Sequence, residues 1–106
     1  VAPGFLGTHT TIGVVGTDAS LTKPEASRLA ALAHIGLART LSPPHLASDG
    51  DALFALATGV LPRDRTPAFD TLGLAAEDCV VDAVVRAIRA ATAAGGLPAW
   101  RDLAEA

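Results

Sequence analysis

The sequence predicts a two-layer α/β unit. Two short apolar runs, Thr10 to Thr17 and Asp51 to Gly59, are of strand length. They alternate with two longer segments whose apolar residues recur at helical spacing, and that alternation is the pattern of strands covered by helices.

Each element follows from its residues. TTIGVVGT at Thr10 to Thr17 is β-branched, too short for a helix and followed by the turn-prone Asp18 and Ala19, so it reads as a buried strand. Thr22-Lys23-Pro24-Glu25 is a capping box with Pro in the first turn, which predicts a helix starting near Lys23. Leu29, Leu32, Ala33, Gly36, Leu37 and Ala38 give it one apolar stripe, with Arg28 and Arg39 to the side. Pro43 and Pro44 close the segment, because a residue before proline avoids the helical region.

The loop Ser42 to Gly50 leads into the second strand, which reads as buried like the first. A polar, proline-bounded loop spans Leu61 to Pro67. The last long helix is expected from about Thr71 to Ala94, with Val80, Val81, Val84, Val85 and Ile88 at helical spacing and Gly95-Gly96 as its stop. Pro98 to Ala106 is expected to be a tail.

Composition narrows the function classes. The 106 residues carry a formal net charge of −3, and the eight Lys and Arg are scattered, which argues against nucleic acid as a partner. No apolar run reaches the roughly 18 residues of a membrane span, and Val1 to Phe5 lacks the features of a signal peptide. One cysteine, Cys79, permits neither an internal disulfide nor a cysteine-based zinc cluster, so a reducing cytoplasm is the expected compartment.

Half of the residues are apolar and 18% are charged, more apolar than a self-sufficient domain of this size needs. That surplus predicts exposed apolar faces and a covering partner or remainder of the same protein. The absence of methionine likewise predicts a processed piece or fragment.

Few residues carry chemistry. Cys79, beside the valine stripe, reads as a small buried thiol. His9, His34 and His45 lie in separate segments without metal-ligand spacing. In Asp49-Gly50-Asp51 two carboxylates precede an apolar strand, where they could bind an ion, cap a turn or orient a catalytic group. The further oxygen ligands of an EF-hand are missing. Thr10 and Thr11 head the first strand, a position ordinary for threonine.

In combination these segments point further. Thr10-Thr11-Ile12-Gly13-Val14-Val15-Gly16-Thr17-Asp18, then Ala33-His34-Ile35-Gly36-Leu37-Ala38-Arg39, then Asp49 to Gly59 resemble, in order and spacing, the L-aminopeptidase/D-esterase (DmpA) family. That family includes β-aminopeptidases, nylon-oligomer hydrolases and a pantetheine amide hydrolase. The resemblance runs from Thr10 to about Ala94.

The resemblance implies a four-layer αββα sandwich like that of N-terminal-nucleophile hydrolases, to which this chain gives about two strands and two helices. It implies a precursor that cuts itself before a Ser or Thr, here between His9 and Thr10, with residues 1–9 a stub of the preceding α chain and 10–106 the β-chain part. Thr10 would then be the nucleophile of an amide hydrolase or aminopeptidase, with its own amine, of pKa about 7.7–8.0, as the base. Asp49 and Asp51 match the D-G-D turn beside the nucleophile in the nylon-oligomer branch and would orient Thr10 and balance a cationic group.

No metal or organic cofactor is implied. The implied partners are the large α chain, further αβ units in a homo-oligomer such as a tetramer, and a small amide or peptide substrate. Two positions depart from the family pattern: His9 stands where Asn or Gly is frequent, and Ile35 where an Asp is common. The alternatives are an esterase or acyl transferase using the same acyl-enzyme, and an unprocessed, non-catalytic homologue serving as a binding or assembly module.

Overall fold

Ile12–Thr17 forms β1 and Ala52–Ala57 forms β2, paired in parallel from Ile12 opposite Ala52 to Thr17 opposite Ala57. The computed structural model describes residues 10–40 and 50–103. Parallel neighbours need a crossover connection, and α1, Lys23–Thr40, supplies it. Then come a 3₁₀ turn at Arg63–Arg65, the long helix α2 at Phe69–Ala90 and the short helix α3 at Trp100–Leu103. The mixed α/β character expected from the alternation is what these residues adopt.

The start of α1 is a capping box: the Thr22 N–H donates to Glu25 Oε1 at 2.9 Å, and the Glu25 N–H donates to Thr22 Oγ1 at 3.3 Å. Along the helix, Leu29, Ala33, Gly36 and Leu37 are buried as the stripe predicts, whereas Ala38 is exposed, one residue past the contact face. This face meets Gly73, Ala76 and Val80 of α2. Two glycines let the helices close. A Cβ on Gly36 would stand 2.7 Å from the Glu77 carbonyl oxygen and Val80 Cβ, and one on Gly73 would stand 2.7 Å from Leu32 Cδ1. Gly73 lies by Leu32 and Val80 by Gly36, so contacts advance in the same direction along both helices, which run parallel.

Below this seam, Val15, Leu53 and Ala55 pack upward from the sheet. Side chains alternate across a strand, so the other face carries Ile12, Val14, Phe54 and Leu56, each 59 to 70% exposed. Both strands are therefore covered on one face only, where buried strands were expected, and each begins later than the apolar run, at Ile12 and at Ala52. Apolar exposure of this kind agrees with the surplus in the composition.

The last third departs most from expectation. Helix α2 begins at Phe69 and ends at Ala90, four residues short of Ala94, and Ala91 is already extended. Its final carbonyls are taken by a tertiary partner, as Arg101 Nη2 donates to Arg89 O at 3.0 Å and to Ala90 O at 2.8 Å. Gly95 and Gly96, with φ of 58° and 78°, form a separate tight turn between Ala94 and Leu97. The expected tail contains α3, whose start is held by the Ala99 N–H donating to Asp102 Oδ2 at 2.9 Å. Cys79 is exposed, because it faces away from the helical seam.

Candidate active site

Parallel pairing brings the starts of β1 and β2 to the same end of the sheet, so Thr10 and Asp51, 41 positions apart, become neighbours. Thr11 is held on both polar groups. Its N–H donates to Asp51 Oδ1 at 2.9 Å, and its carbonyl accepts the Ala52 N–H at 2.8 Å. Asp51 and Ala52 together fix the backbone immediately after Thr10.

Thr10 itself is exposed, and its hydroxyl lies against Gly50: a Cβ built on that glycine would be 3.1 Å from Thr10 Oγ1. A side chain in that place would press on the hydroxyl. Of the residues singled out in the sequence, the structure thus brings together Thr10, Thr11, Gly50 and Asp51. His9, His45 and Asp49 lie outside the described residues. His34 is half-buried on α1, away from this cluster in sequence and on a different element.

Chemically, the cluster offers a solvent-accessible hydroxyl beside an open backbone, with a carboxylate ordering the next amide. An accessible hydroxyl acts as a nucleophile only when a neighbouring base takes its proton. Among the described residues no group of three or more His, Cys, Asp and Glu could hold a metal ion, and no helix is long and apolar enough to cross a membrane.

The opposite end of the sheet carries a second polar cluster that the sequence reading did not single out. Arg63 grips Glu25 through both nitrogens, at 2.6 and 3.0 Å, and donates to Ser20 O at 3.1 Å. Thr58 Oγ1 donates to Asp18 Oδ1 at 2.9 Å, and Ser20 Oγ donates to Leu61 O at 2.6 Å. The Arg63 hydrogen bonds, helped by the Thr22 amide, hold the Glu25 carboxyl down at about 2, and Glu25 in turn raises Arg63 above its ordinary value. On the seam, the hydrogen bonds that Arg39 donates to Asp78 and Glu77 raise it above its ordinary value. These groups pair with one another, which suits a structural clasp.

Known proteins place this arrangement in context. The sequence profile of a family described as Peptidase family S58 matches residues 4–99. A protein of Mycobacterium leprae described as an uncharacterized aminopeptidase is 43% identical over 103 residues, a match covering 87% of this chain and 28% of that protein. Proteins with the same description from Mycobacterium bovis and Mycobacterium tuberculosis are 41% identical over 106 residues, covering 90% of this chain and 31% of theirs. The chain therefore spans less than a third of the length of these relatives.

Proposed function

This chain belongs to peptidase family S58, the family of DmpA type, and we propose that it is the nucleophile-bearing part of a self-processing, aminopeptidase-like amide hydrolase. The observation that carries this reading is the head of β1: an exposed Thr10 hydroxyl over Gly50, with the following amide held by Asp51. The printed descriptions of the mycobacterial relatives support the aminopeptidase reaction class.

In the precursor, Thr10 Oγ attacks the carbonyl carbon of His9, and the peptide C–N bond gives way to an ester. Water hydrolyses that ester and leaves Thr10 with a free α-amine. The amine, of pKa about 7.7–8.0, is partly unprotonated near neutral pH and sits on the nucleophile's own residue. In turnover it takes the hydroxyl proton as Oγ attacks the substrate carbonyl, then returns a proton to the leaving amine. Water cleaves the resulting Thr10 ester and releases the acid, regenerating the hydroxyl.

Asp51 keeps Thr10 in line through the Thr11 amide, and Asp49 with Asp51 supplies negative charge opposite a cationic amine. Residues 1–9 belong to the end of the preceding large chain and 10–106 to the small chain. The large chain lays a second sheet on the face of Ile12, Val14, Phe54 and Leu56, completing an αββα sandwich, and the αβ units associate further.

The test is expression with the upstream region, read by intact mass and N-terminal sequencing, beside a Thr10→Ala control. A new terminus at Thr10 that vanishes in the control is the expected result. A chain that stays uncut in both, or is cut elsewhere, overturns the reading.

A further inference from the structure

Helix α2 carries an apolar stripe besides the one that meets α1. Gly73, Ala76 and Val80 close the seam between the helices. Leu74, Val81, Val85 and Ile88, spaced by seven, four and three residues, share a second stripe turned roughly 100° from that seam. Leu74 is 65% and Ile88 43% exposed, while Val81 and Val85 are half-buried. Ile35, exposed on α1, extends the same surface. It stands one turn before Arg39, and Leu74 one turn before Asp78, which Arg39 grips across the parallel helices. The open face of the sheet lies on the far side of β1 and β2 from both helices, so a second sheet laid there leaves this stripe outside.

A line of charges borders the stripe. Asp78, Asp82, Arg86 and Arg89 follow at intervals of four, four and three residues, the first two acidic and the last two basic. Asp78, Asp82 and Arg86 have side chains 63 to 79% exposed. Asp82 and Arg86 close on each other within the helix at 2.9 Å, Asp78 meets Arg39 through Oδ1 alone, and Arg89 has no ion pair among the described residues.

Such a line complements itself in one orientation only. Asp78 and Arg89 are equidistant from a point between Ala83 and Val84, and Asp82 and Arg86 are equidistant from Val84, half a residue away. One two-fold axis at that point therefore sets Asp78 opposite the partner's Arg89 and Asp82 opposite the partner's Arg86, and the symmetry repeats both pairs. Copies packed in parallel would set like charge against like.

We infer that the outer stripe of α2 is a two-fold contact between copies of this protein, in which a second α2 lies antiparallel along Val81, Val85 and Ile88 and is held in register by the Asp78–Arg89 and Asp82–Arg86 crossings. The contact gives a surface to the association of αβ units in the proposed function. It rests on that reading for the longer protein but not for the chemistry of Thr10.

Charge exchange on the full-length protein tests the inference. Arg89→Glu and Asp78→Arg each bring like charges together at both symmetry-related crossings, and each should weaken self-association at least about tenfold in analytical ultracentrifugation. Mixing the two variants restores opposite charge at both crossings. The mixed pair should associate at least about tenfold more tightly than either variant with itself, counted by native mass spectrometry of isotopically distinct copies. Positions 78 and 89 are about 16 Å apart along one helix, so the rescue has no route within a single copy. A monomeric full-length protein, self-association unaltered by both substitutions, or a mixture no tighter than its components overturns the contact.

A benzophenone cross-linker at Val85 gives a readout without charge changes. Cross-links from one copy to α2 of another are expected, and cross-links confined to the same polypeptide, as from a helix of the large chain, overturn the inference. The charge arm stands if the Val85 variant misfolds. N-terminal sequencing of the same samples keeps the two readings apart. Copies that pair through α2 without ever forming a Thr10 terminus sink the chemistry alone, and a Thr10 terminus in copies that do not pair there sinks the contact alone.

Discussion

The two sides of the β1–β2 sheet are built from similar residues and end in opposite surroundings. On the helical side, Leu29, Ala33 and Leu37 are at most 1% exposed, closed by glycines at the contact and by Arg39 bridging to Glu77 and Asp78. On the other side Val14 and Phe54, paired across the strands, are 67% and 59% exposed. The helical half is a closed core, while the sheet half leaves its apolar face open. The candidate site lies at the end of the open half, where Asp51 ties down Thr11 and Thr10 stays exposed.

The largest effect should come from the open half. In the full-length protein, Thr10→Ala should lower processing and amide turnover at least about 10³-fold with little change in thermal midpoint, measured by product formation and by melting. Asp51→Ala, which frees the Thr11 amide, should slow turnover by roughly 10- to 100-fold, and Asp51→Asn should restore part of it because the amide oxygen still accepts that bond. Gly50→Ala should cost about tenfold in kcat, since its Cβ would crowd Thr10 Oγ1 at 3.1 Å.

The closed half should answer in stability instead. Gly36→Ala removes a helix-interior glycine yet drives a Cβ to 2.7 Å from the Glu77 carbonyl, a backbone atom that cannot swing aside. A net loss of about 1–3 kcal/mol in denaturant unfolding is expected. Gly73→Ala meets only the tip of Leu32, which can rotate, so the helix-propensity gain should hold the change under about 1 kcal/mol. Equal losses at the two glycines would refute the distinction between a rigid and a yielding neighbour.

The smallest effect belongs to the clasp at the far end of the sheet. The Glu25 carboxyl is held at about 2 from an ordinary 4.5, so its contribution is complete above about pH 5 and disappears as pH falls from 4.5 towards 2. Glu25→Gln should flatten the stability profile in that window, and the pair's exposure should keep the change small. Unaltered pH dependence would show that the clasp contributes nothing in solution.

Legibility followed the range of the interactions. The capping box at Thr22 and Glu25 was readable because it closes within four residues, and the α1 stripe because its period is the helix's own. The end of α2 was not, since Ala91 to Ala94 can continue a helix and the partner of its last carbonyls, Arg101, arrives from 11 and 12 residues on. Exposure of Cys79 depended on which helix face meets α1 and which overhangs the β1 edge. The short helix at Trp100 did leave a local sign, Asp102 three residues after Ala99, reading back to its N–H. At the site, Thr10 and Asp51 are ordinary residues one at a time. Their juxtaposition depends on parallel register, to which the resemblance pointed and composition did not.

Trapping the acyl-enzyme tests whether Thr10 is the nucleophile. Full-length processed protein is mixed with an activated ester, quenched in acid, digested and sequenced by mass spectrometry. The expected result is one added acyl group on the peptide beginning at Thr10, carried on its side chain and absent from Thr10→Ala. Acylation of another residue, or undiminished turnover by Thr10→Ala, would contradict it.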